Sequence, residues 1–166
     1  INFFEILIGI GIFLVFLIFR GLISKLIIKK LEIISKRTTN KLDDTFVHSL
    51  IGPVRFLPIV LGFFFSSYYL TFEADTREFV NNINRTLITI LIFWTIHQII
   101  EPVSYVLSGL GKILTRELIS WIVKSIKILI FILGAAAVLE LWGIKIGPII
   151  AGLGLFGVAV ALGAQD

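Results

Sequence analysis

Five long apolar runs dominate the pattern of hydrophobic and polar positions along the chain. They cover approximately residues 3–28, 51–72, 86–107, 119–141 and 146–164, and charged residues cluster in the connections between them. A helix needs about 20 consecutive apolar residues to cross the hydrocarbon core of a bilayer. The runs are apolar on most faces, so their length rather than their periodicity indicates membrane spans. The predicted fold is all-α: a polytopic membrane protein with five transmembrane helices per subunit.

Composition supports this class and narrows the chemistry. Hydrophobic residues make up 57% of the chain and the mean hydropathy is +1.02, whereas a soluble domain is about 45–50% apolar. The absence of cysteine excludes disulfides and thiolate metal sites. His48 and His97 have no partner at metal-ligand spacing, and we find no phosphate loop, nucleophile elbow or pair of catalytic carboxylates. We therefore expect neither an enzyme nor a bound metal or cofactor.

The basic residues indicate a membrane partner and an orientation. Twelve of the 15 lie in the first and third connections or at the adjoining ends of the runs, and the other three are Arg77, Arg85 and Lys145. Because they flank apolar runs, the net charge of +4 predicts contact with lipid headgroups rather than nucleic acid. Basic connections stay in the cytoplasm. The N-terminus is therefore expected outside and Asp166 inside. The segment Leu22–Lys36 is predicted to be a cytoplasmic continuation of the first helix, and residues 37–44 are predicted to break and restart the chain before the second.

The last run is unusually rich in small residues. Each glycine inside a helix costs roughly 0.5–1 kcal/mol relative to alanine, so the repetition needs a reason, and close helix packing is the usual one in membranes. At about 100° per residue, the small residues form two nearly opposite ridges. One ridge contains Gly154, Gly157, Ala161 and Ala164. The other contains Gly152, Ala159 and Gly163.

Two opposed small ridges predict close neighbours on both sides of this helix. If the neighbours are copies of the same helix, the contact is heterologous, and such contacts close into rings. One remaining face then lines a central pore, and the other packs outward. The face predicted to line the pore becomes polar at its cytoplasmic end and carries Leu155, Val158, Leu162 and Gln165. A tightly packed span of a transporter remains an alternative explanation of the same composition.

The segment Gly143–Asp166 resembles the pore helix of the small-conductance mechanosensitive channel (MscS-like) family. On this pattern Val158 and Leu162 match two constriction positions, and Gln165 matches a recurring glutamine. Lys41–Asp44, after a basic stretch, is similar to a segment of members with extra N-terminal spans. Val158 is smaller than the leucine common in the family, Ala161 replaces a common glycine, and Asp166 stands where a hinge glycine is common.

The resemblance implies a homoheptamer in the bacterial cytoplasmic (inner) membrane that membrane tension opens during osmotic downshock, releasing ions and small solutes. Residues 1–145 would then be four peripheral, membrane-sensing spans and residues 146–166 the pore helix. The family's cytoplasmic domain is absent, so we expect the chain to be a fragment. The alternative function is the membrane subunit of a secondary transporter.

Four basic residues near the predicted cytoplasmic surface are candidates for binding anionic lipid headgroups. Simple extension of long side chains toward water is the competing explanation for each of them. The candidates are Arg55, Arg116, Lys124 and Lys127.

Overall fold

Five helices make up the protein in the computed structural model, which describes residues 3–35, 41–108, 115–163 and 165. Every regular element within these ranges is a helix, which confirms the predicted all-α class. The helices are α1 (Phe3–Ser35), α2 (Lys41–Tyr69), α3 (Ala74–Ser108), α4 (Arg116–Leu141) and α5 (Gly147–Gly163).

Four of the helices are long and apolar enough to cross a membrane. The qualifying stretches are Phe3–Ile33, Thr45–Tyr69, Ala74–Ser104 and Glu117–Leu141. Helix α5 is apolar but has 17 residues, a length of about 26 Å, which is less than the ~30 Å hydrocarbon thickness. The chain is therefore a multi-pass membrane protein with four candidate spans and one shorter apolar helix, whose passage through the membrane stays a prediction.

Several helices extend beyond the predicted apolar runs. Helix α2 begins at Lys41, so Lys41–Asp44 forms its first turn, which agrees with the restart of the chain expected within residues 37–44; residues 36–40 lie outside the described part. Helix α3 begins at Ala74, twelve residues before its predicted start, and continues through Pro102. Apolarity marks where a helix meets lipid, whereas polar residues continue the backbone hydrogen bonding outside it.

The first four helices form a row in which each helix packs against its neighbours in sequence. The described contacts join α1 to α2, α2 to α3 and α3 to α4, and no other pair of the five helices. Neighbours run in opposite directions. Thr71, just after α2, donates a hydrogen bond to Glu5 near the start of α1 (3.0 Å), and Asn84 of α3 donates to Ser67 of α2 (2.7 Å).

Close approach of α1 and α2 depends on Gly62. A Cβ built on Gly62 would lie 2.7 Å from Cβ of Phe16. The Phe16 ring stacks on Phe65 with ring centroids 5.6 Å apart, and one turn further Ser66 donates to the carbonyl of Gly9 (2.8 Å). Small residues that let backbones approach are the usual basis of helix association in lipid.

Glycine plays the same part in the next two helix pairs. Gly52 of α2 faces the ring of Trp94 in α3, where an added Cβ would be 3.1 Å from Cζ2. Gly134 of α4 faces Phe93 of α3, where the corresponding distance is 2.9 Å. Next to Gly134, α3 and α4 form an open apolar groove of about 520 Å³, which His97 also lines.

Replacing Gly62 with alanine should separate α1 from α2, because the new methyl group overlaps Phe16. We expect a loss of about 1–3 kcal/mol in the free energy of unfolding, the usual cost of overpacking. Denaturant titration of the purified protein in detergent measures it. Gly11→Ala is the control, since nothing lies within 4 Å of a Cβ there. Equal effects of the two substitutions would contradict the packing role of Gly62.

Candidate pore helix and its anchor

A capped turn joins α4 to α5. The N–H of Gly143 donates to the carbonyl of Glu140 (3.0 Å), and that of Ile144 donates to the carbonyl of Leu139 (3.1 Å). This pair of bonds is the Schellman arrangement that ends many helices, and it requires a residue with positive φ after the last turn. Gly143 supplies it, with φ of 83°. Helix α5 then begins at Gly147, followed by Pro148, whose fixed φ suits a first helical turn.

Trp142 ties this turn to α3. Its indole Nε1 donates a hydrogen bond to Oγ1 of Thr86 (3.1 Å), and its ring meets Phe79 edge-on with centroids 5.5 Å apart. The Thr86 hydroxyl in turn donates to the carbonyl of Asn82 (2.7 Å). We call Phe79, Thr86 and Trp142 the anchor. It holds the C-terminal end of α4 against the N-terminal half of α3.

Helix α5 itself has no neighbour in its own subunit. Within the described residues it packs against none of α1–α4, and each of its described side chains is exposed. Leu155 is 75% exposed and Phe156 is 69% exposed. Contact with lipid accounts for the exposure of these large apolar side chains. It does not explain why α5 also carries so many glycines and alanines.

The glycines of α5 differ from those that join the other helices. At Gly62, Gly52 and Gly134, an added Cβ would lie close to an aromatic side chain of the neighbouring helix. By contrast, a Cβ at any of the α5 positions would meet nothing within 4 Å. The glycines tested are Gly147, Gly152, Gly154, Gly157 and Gly163. Within the described part of the subunit, no contact uses their small size.

The predicted pore-lining residues share one face of α5. Leu155, Val158 and Leu162 are spaced by three and four residues along a continuous helix, and Val158 and Leu162 are 60% and 64% exposed. Gln165 is exposed just beyond the last turn, where its N–H donates to the carbonyl of Leu162 (3.3 Å). Their role in a pore stays a prediction.

The small residues of α5 lie on two opposite sides of the helix. Gly152 and Ala159 lie on one side, and Gly163 ends the helix on that side. The opposite side carries Gly154, Gly157 and Ala161. Ala164 lies outside the described residues, as does Asp166.

The four basic candidates have different surroundings. Lys127 of α4 forms an ion pair with Glu101 of α3, with Nζ 2.8 Å from Oε2, so part of its charge is already compensated. Arg55 and Lys124 are exposed, and among the described residues the structure gives neither an ion-pair nor a side-chain hydrogen-bond partner. The Arg116 side chain lies outside the described part of the chain. Lipid binding by these residues stays a prediction.

Sequence reasoning missed the anchor and the Lys127–Glu101 pair. Both join residues far apart in sequence, 56 positions for Trp142 and Thr86 and 26 for Lys127 and Glu101. A partial signal was present, because Trp142-Gly143 after an apolar run combines an interfacial tryptophan with a helix-ending glycine. The partner of Trp142 was not predictable without knowing that α3 and α4 are antiparallel neighbours.

Comparison with known proteins assigns the α4–turn–α5 segment to a family. A family model described as "Mechanosensitive ion channel, transmembrane helices 2/3" matches residues 124–165. The match runs from within α4, through the capped turn, to the end of α5. No solved structure matches the chain.

Curated relatives match nearly the whole chain. An uncharacterized MscS family protein of Aquifex aeolicus is 30% identical over 168 residues, which cover 98% of this chain and 45% of the relative. The uncharacterized MscS family protein YhdY of Bacillus subtilis is 25% identical, with 99% and 46% covered. The large-conductance mechanosensitive channel MscMJLR of Methanocaldococcus jannaschii is 25% identical, with 92% and 44% covered.

The class defined by the fold is a multi-pass, all-helical membrane protein. These matches support an MscS-like family member, as the resemblance of its last helix indicated. The chain spans slightly less than half the length of the curated relatives it matches.

Removing the hydrogen bond of the anchor should weaken the contact between α3 and α4. Trp142→Phe deletes the donor and Thr86→Val deletes the acceptor, and each should lower the free energy of unfolding by about 1 kcal/mol. The double variant should lose clearly less than the sum, because both substitutions remove the same bond. Thermal or denaturant unfolding in detergent measures this cycle.

Trp121→Phe is the matched control for the tryptophan substitution. Trp121 lies in α4, the helix that Trp142 caps, and is 74% exposed, so its replacement should leave stability within about 0.5 kcal/mol. Strictly additive losses in the double variant would show that Trp142 and Thr86 do not act as a pair.

Proposed function

We propose that the chain is the membrane part of a mechanosensitive channel subunit, opened by membrane tension to release ions and small solutes during hypo-osmotic shock. In this proposal α5 lines a central pore in a homo-oligomeric ring. The observation that carries it is the unpartnered state of α5, whose small-residue ridges contact none of the other helices among the described residues. The relative named a large-conductance mechanosensitive channel supports the same activity.

The ring follows from the two ridges of α5. Gly152, Ala159 and Gly163 would face one neighbouring subunit, and Gly154, Gly157 and Ala161 the other, with Ala164 continuing the second ridge. A contact between two different surfaces of identical chains repeats around an axis and closes. A ring of seven subunits is what the family resemblance implies. Membrane lipids surround the ring and are the second partner of each subunit.

The pore would be narrowed by rings of Val158 and Leu162. A narrow ring of apolar side chains stops ion flow by dewetting, without a physical plug. Leu155 would lie above these rings and Gln165 at the wetter cytoplasmic mouth. Opening requires the α5 helices to tilt or separate until the rings hold water.

Tension would reach α5 from the helices around it. Residues 1–145 form the sensing part and residues 146–166 the pore helix in this proposal. Membrane tension favours the state of the channel that occupies the larger area in the membrane plane. A stimulus shifts the equilibrium between two states only if it acts differently on them, and here the difference is their area. Since α5 has no other described contact in its subunit, movement of α3 and α4 would reach it through Trp142 and the turn at Gly143.

The orientation is part of the proposal. Alternating helix directions bring the ends of α1–α4 that carry most of the basic residues to one side of the row. By the positive-inside rule that side is cytoplasmic. The N-terminus is then outside, the end of α5 is inside, and the membrane is the bacterial cytoplasmic one.

A secondary transporter is the alternative function. Ion-coupled transporters carry ionisable groups and broken helices near the middle of the bilayer. Helix α5 has no charged residue between Lys145 and Asp166, and its described turns form one continuous helix. The channel is therefore the favoured function.

Patch-clamp recording of the full-length protein in liposomes tests the activity. Suction applied to the patch should open a conductance, and the conductance should close when suction is released. Protein-free liposomes prepared in parallel give the background. A full-length protein that is correctly folded in the membrane but conducts no current under suction would overturn the channel.

Polar substitutions at the proposed constriction test the choice of pore face. Val158→Ser and Leu162→Ser should make the ring wettable, so the channel should open at lower tension or leak. The measurement is the tension threshold and the resting current in the same patches. Ile149→Ser, on the outward face, is the matched control and should leave resting current unchanged. Leak in the control but not in Val158→Ser or Leu162→Ser would mean that the opposite face lines the pore.

A further inference from the structure

Two arginines lie at the seam between α1 and α2, the interface defined by the contact of Phe16 with Gly62. Arg20 follows Phe16 by four residues and precedes the buried Ser24 by four, so it shares their stripe of α1. Arg55 precedes Gly62 by seven residues, two turns of helix, and therefore lies on the stripe of α2 that faces α1. Both arginine residues are exposed.

The antiparallel packing brings the two arginines to nearly the same depth. Arg20 is 15 residues along α1 from Glu5, a rise of about 22 Å. Arg55 is 14 residues along α2 from Tyr69, a rise of about 21 Å. Glu5 and Tyr69 lie at the same end of the helix pair, because Thr71, two residues after Tyr69, donates a hydrogen bond to Glu5.

That depth is close to a phosphate layer. Taking Glu5 and Tyr69 as one boundary of a hydrocarbon core about 30 Å thick, the two Cα atoms lie about 8 Å short of the other boundary. An extended arginine side chain spans such a distance, so both guanidinium groups reach the headgroups from the same seam.

Neither arginine has an acidic partner within the described part of the chain. The next carboxylate after Arg20 on α1 is Glu32, about 18 Å further along the helix. On α2, Asp44 precedes Arg55 by about 16 Å of rise. The ion pair that the structure describes is between Lys127 and Glu101 of the other helix pair. A guanidinium group at a membrane boundary without a carboxylate needs another anion, and phosphate matches its fork of donors.

We propose that Arg20 and Arg55 together bind the phosphate group of one anionic phospholipid at the seam of α1 and α2. The two guanidinium groups hold the headgroup from adjacent helices, and the acyl chains follow the apolar surface below them. Leu17, one turn before Arg20 on α1, is an exposed apolar residue on that side. The site lies outside the segment that matches the family model, residues 124–165, and does not depend on gating.

Lipid retention measures the site directly. Full-length protein is reconstituted in phosphatidylcholine vesicles containing a minor fraction of phosphatidylglycerol and then extracted in mild detergent. Native mass spectrometry counts the phosphatidylglycerol that stays bound to each subunit. Arg20→Gln and Arg55→Gln should each weaken retention about fivefold, the effect of one basic residue near an anionic surface, and the double variant should retain none above background.

Two further double variants distinguish a defined phosphate site from non-specific attraction of the anionic lipid by any basic residue. Arg20→Lys with Arg55→Lys keeps both charges but loses the planar fork, so retention should be intermediate. Lys29→Gln with Lys30→Gln removes the same charge from exposed positions further along α1 and should retain the lipid as the wild type does. Wild-type retention in Arg20→Gln/Arg55→Gln, or equal loss in the two double glutamine variants, would overturn the proposal.

Inorganic phosphate distinguishes the source of the phosphate group. Excess phosphate in the extraction buffer should not displace the lipid, because it lacks the acyl chains that contribute to binding. Displacement by inorganic phosphate would overturn the lipid as the occupant. If the double glutamine variant does not fold, the single and lysine variants provide the same comparison. Because no current is measured, the result is independent of whether the channel proposal holds.

Discussion

Helices in a bilayer gain no hydrophobic free energy by associating, because the lipid they displace is as apolar as their own side chains. The row of α1–α4 therefore depends on close contact. At Gly62, Gly52 and Gly134 the backbone approaches a facing aromatic ring closely enough that a methyl group would overlap or crowd it. Each contact uses one glycine and one large ring from the neighbouring helix. Polar bonds such as that of Asn84 with Ser67 fix the register but are few.

Apolar length predicted the class of fold and approximately located the helices, because length in lipid is a strong constraint. It could not predict how far helices extend into water, and α3 begins at Ala74, twelve residues before its apolar run. The order of the row also agrees with short connections between neighbours. The pairing of Trp142 with Thr86 was not predictable, since it depends on the register of two helices that no local pattern encodes.

The faces of α5 were predictable for a different reason. Once a segment is a helix, the angular position of each residue follows from its number, so the grouping of Leu155, Val158 and Leu162 needed no tertiary information. What the structure adds is the absence of neighbours for α5 among the described residues of its own subunit. Several glycines weaken this helix and meet nothing within 4 Å among the described residues, and this is the basis of the proposed contact with other subunits.

The turn between α4 and α5 has a consequence for how such proteins can vary. Its two backbone hydrogen bonds and the positive φ of Gly143 set the direction in which α5 leaves α4, and the setting is local to a few residues. The azimuth of the final helix is thereby independent of how many helices precede α3. Changes in the α1–α2 hairpin at the periphery should therefore leave the direction of the last helix unaltered. In this architecture α4, its turn and α5 form a unit whose internal geometry is set by its own residues.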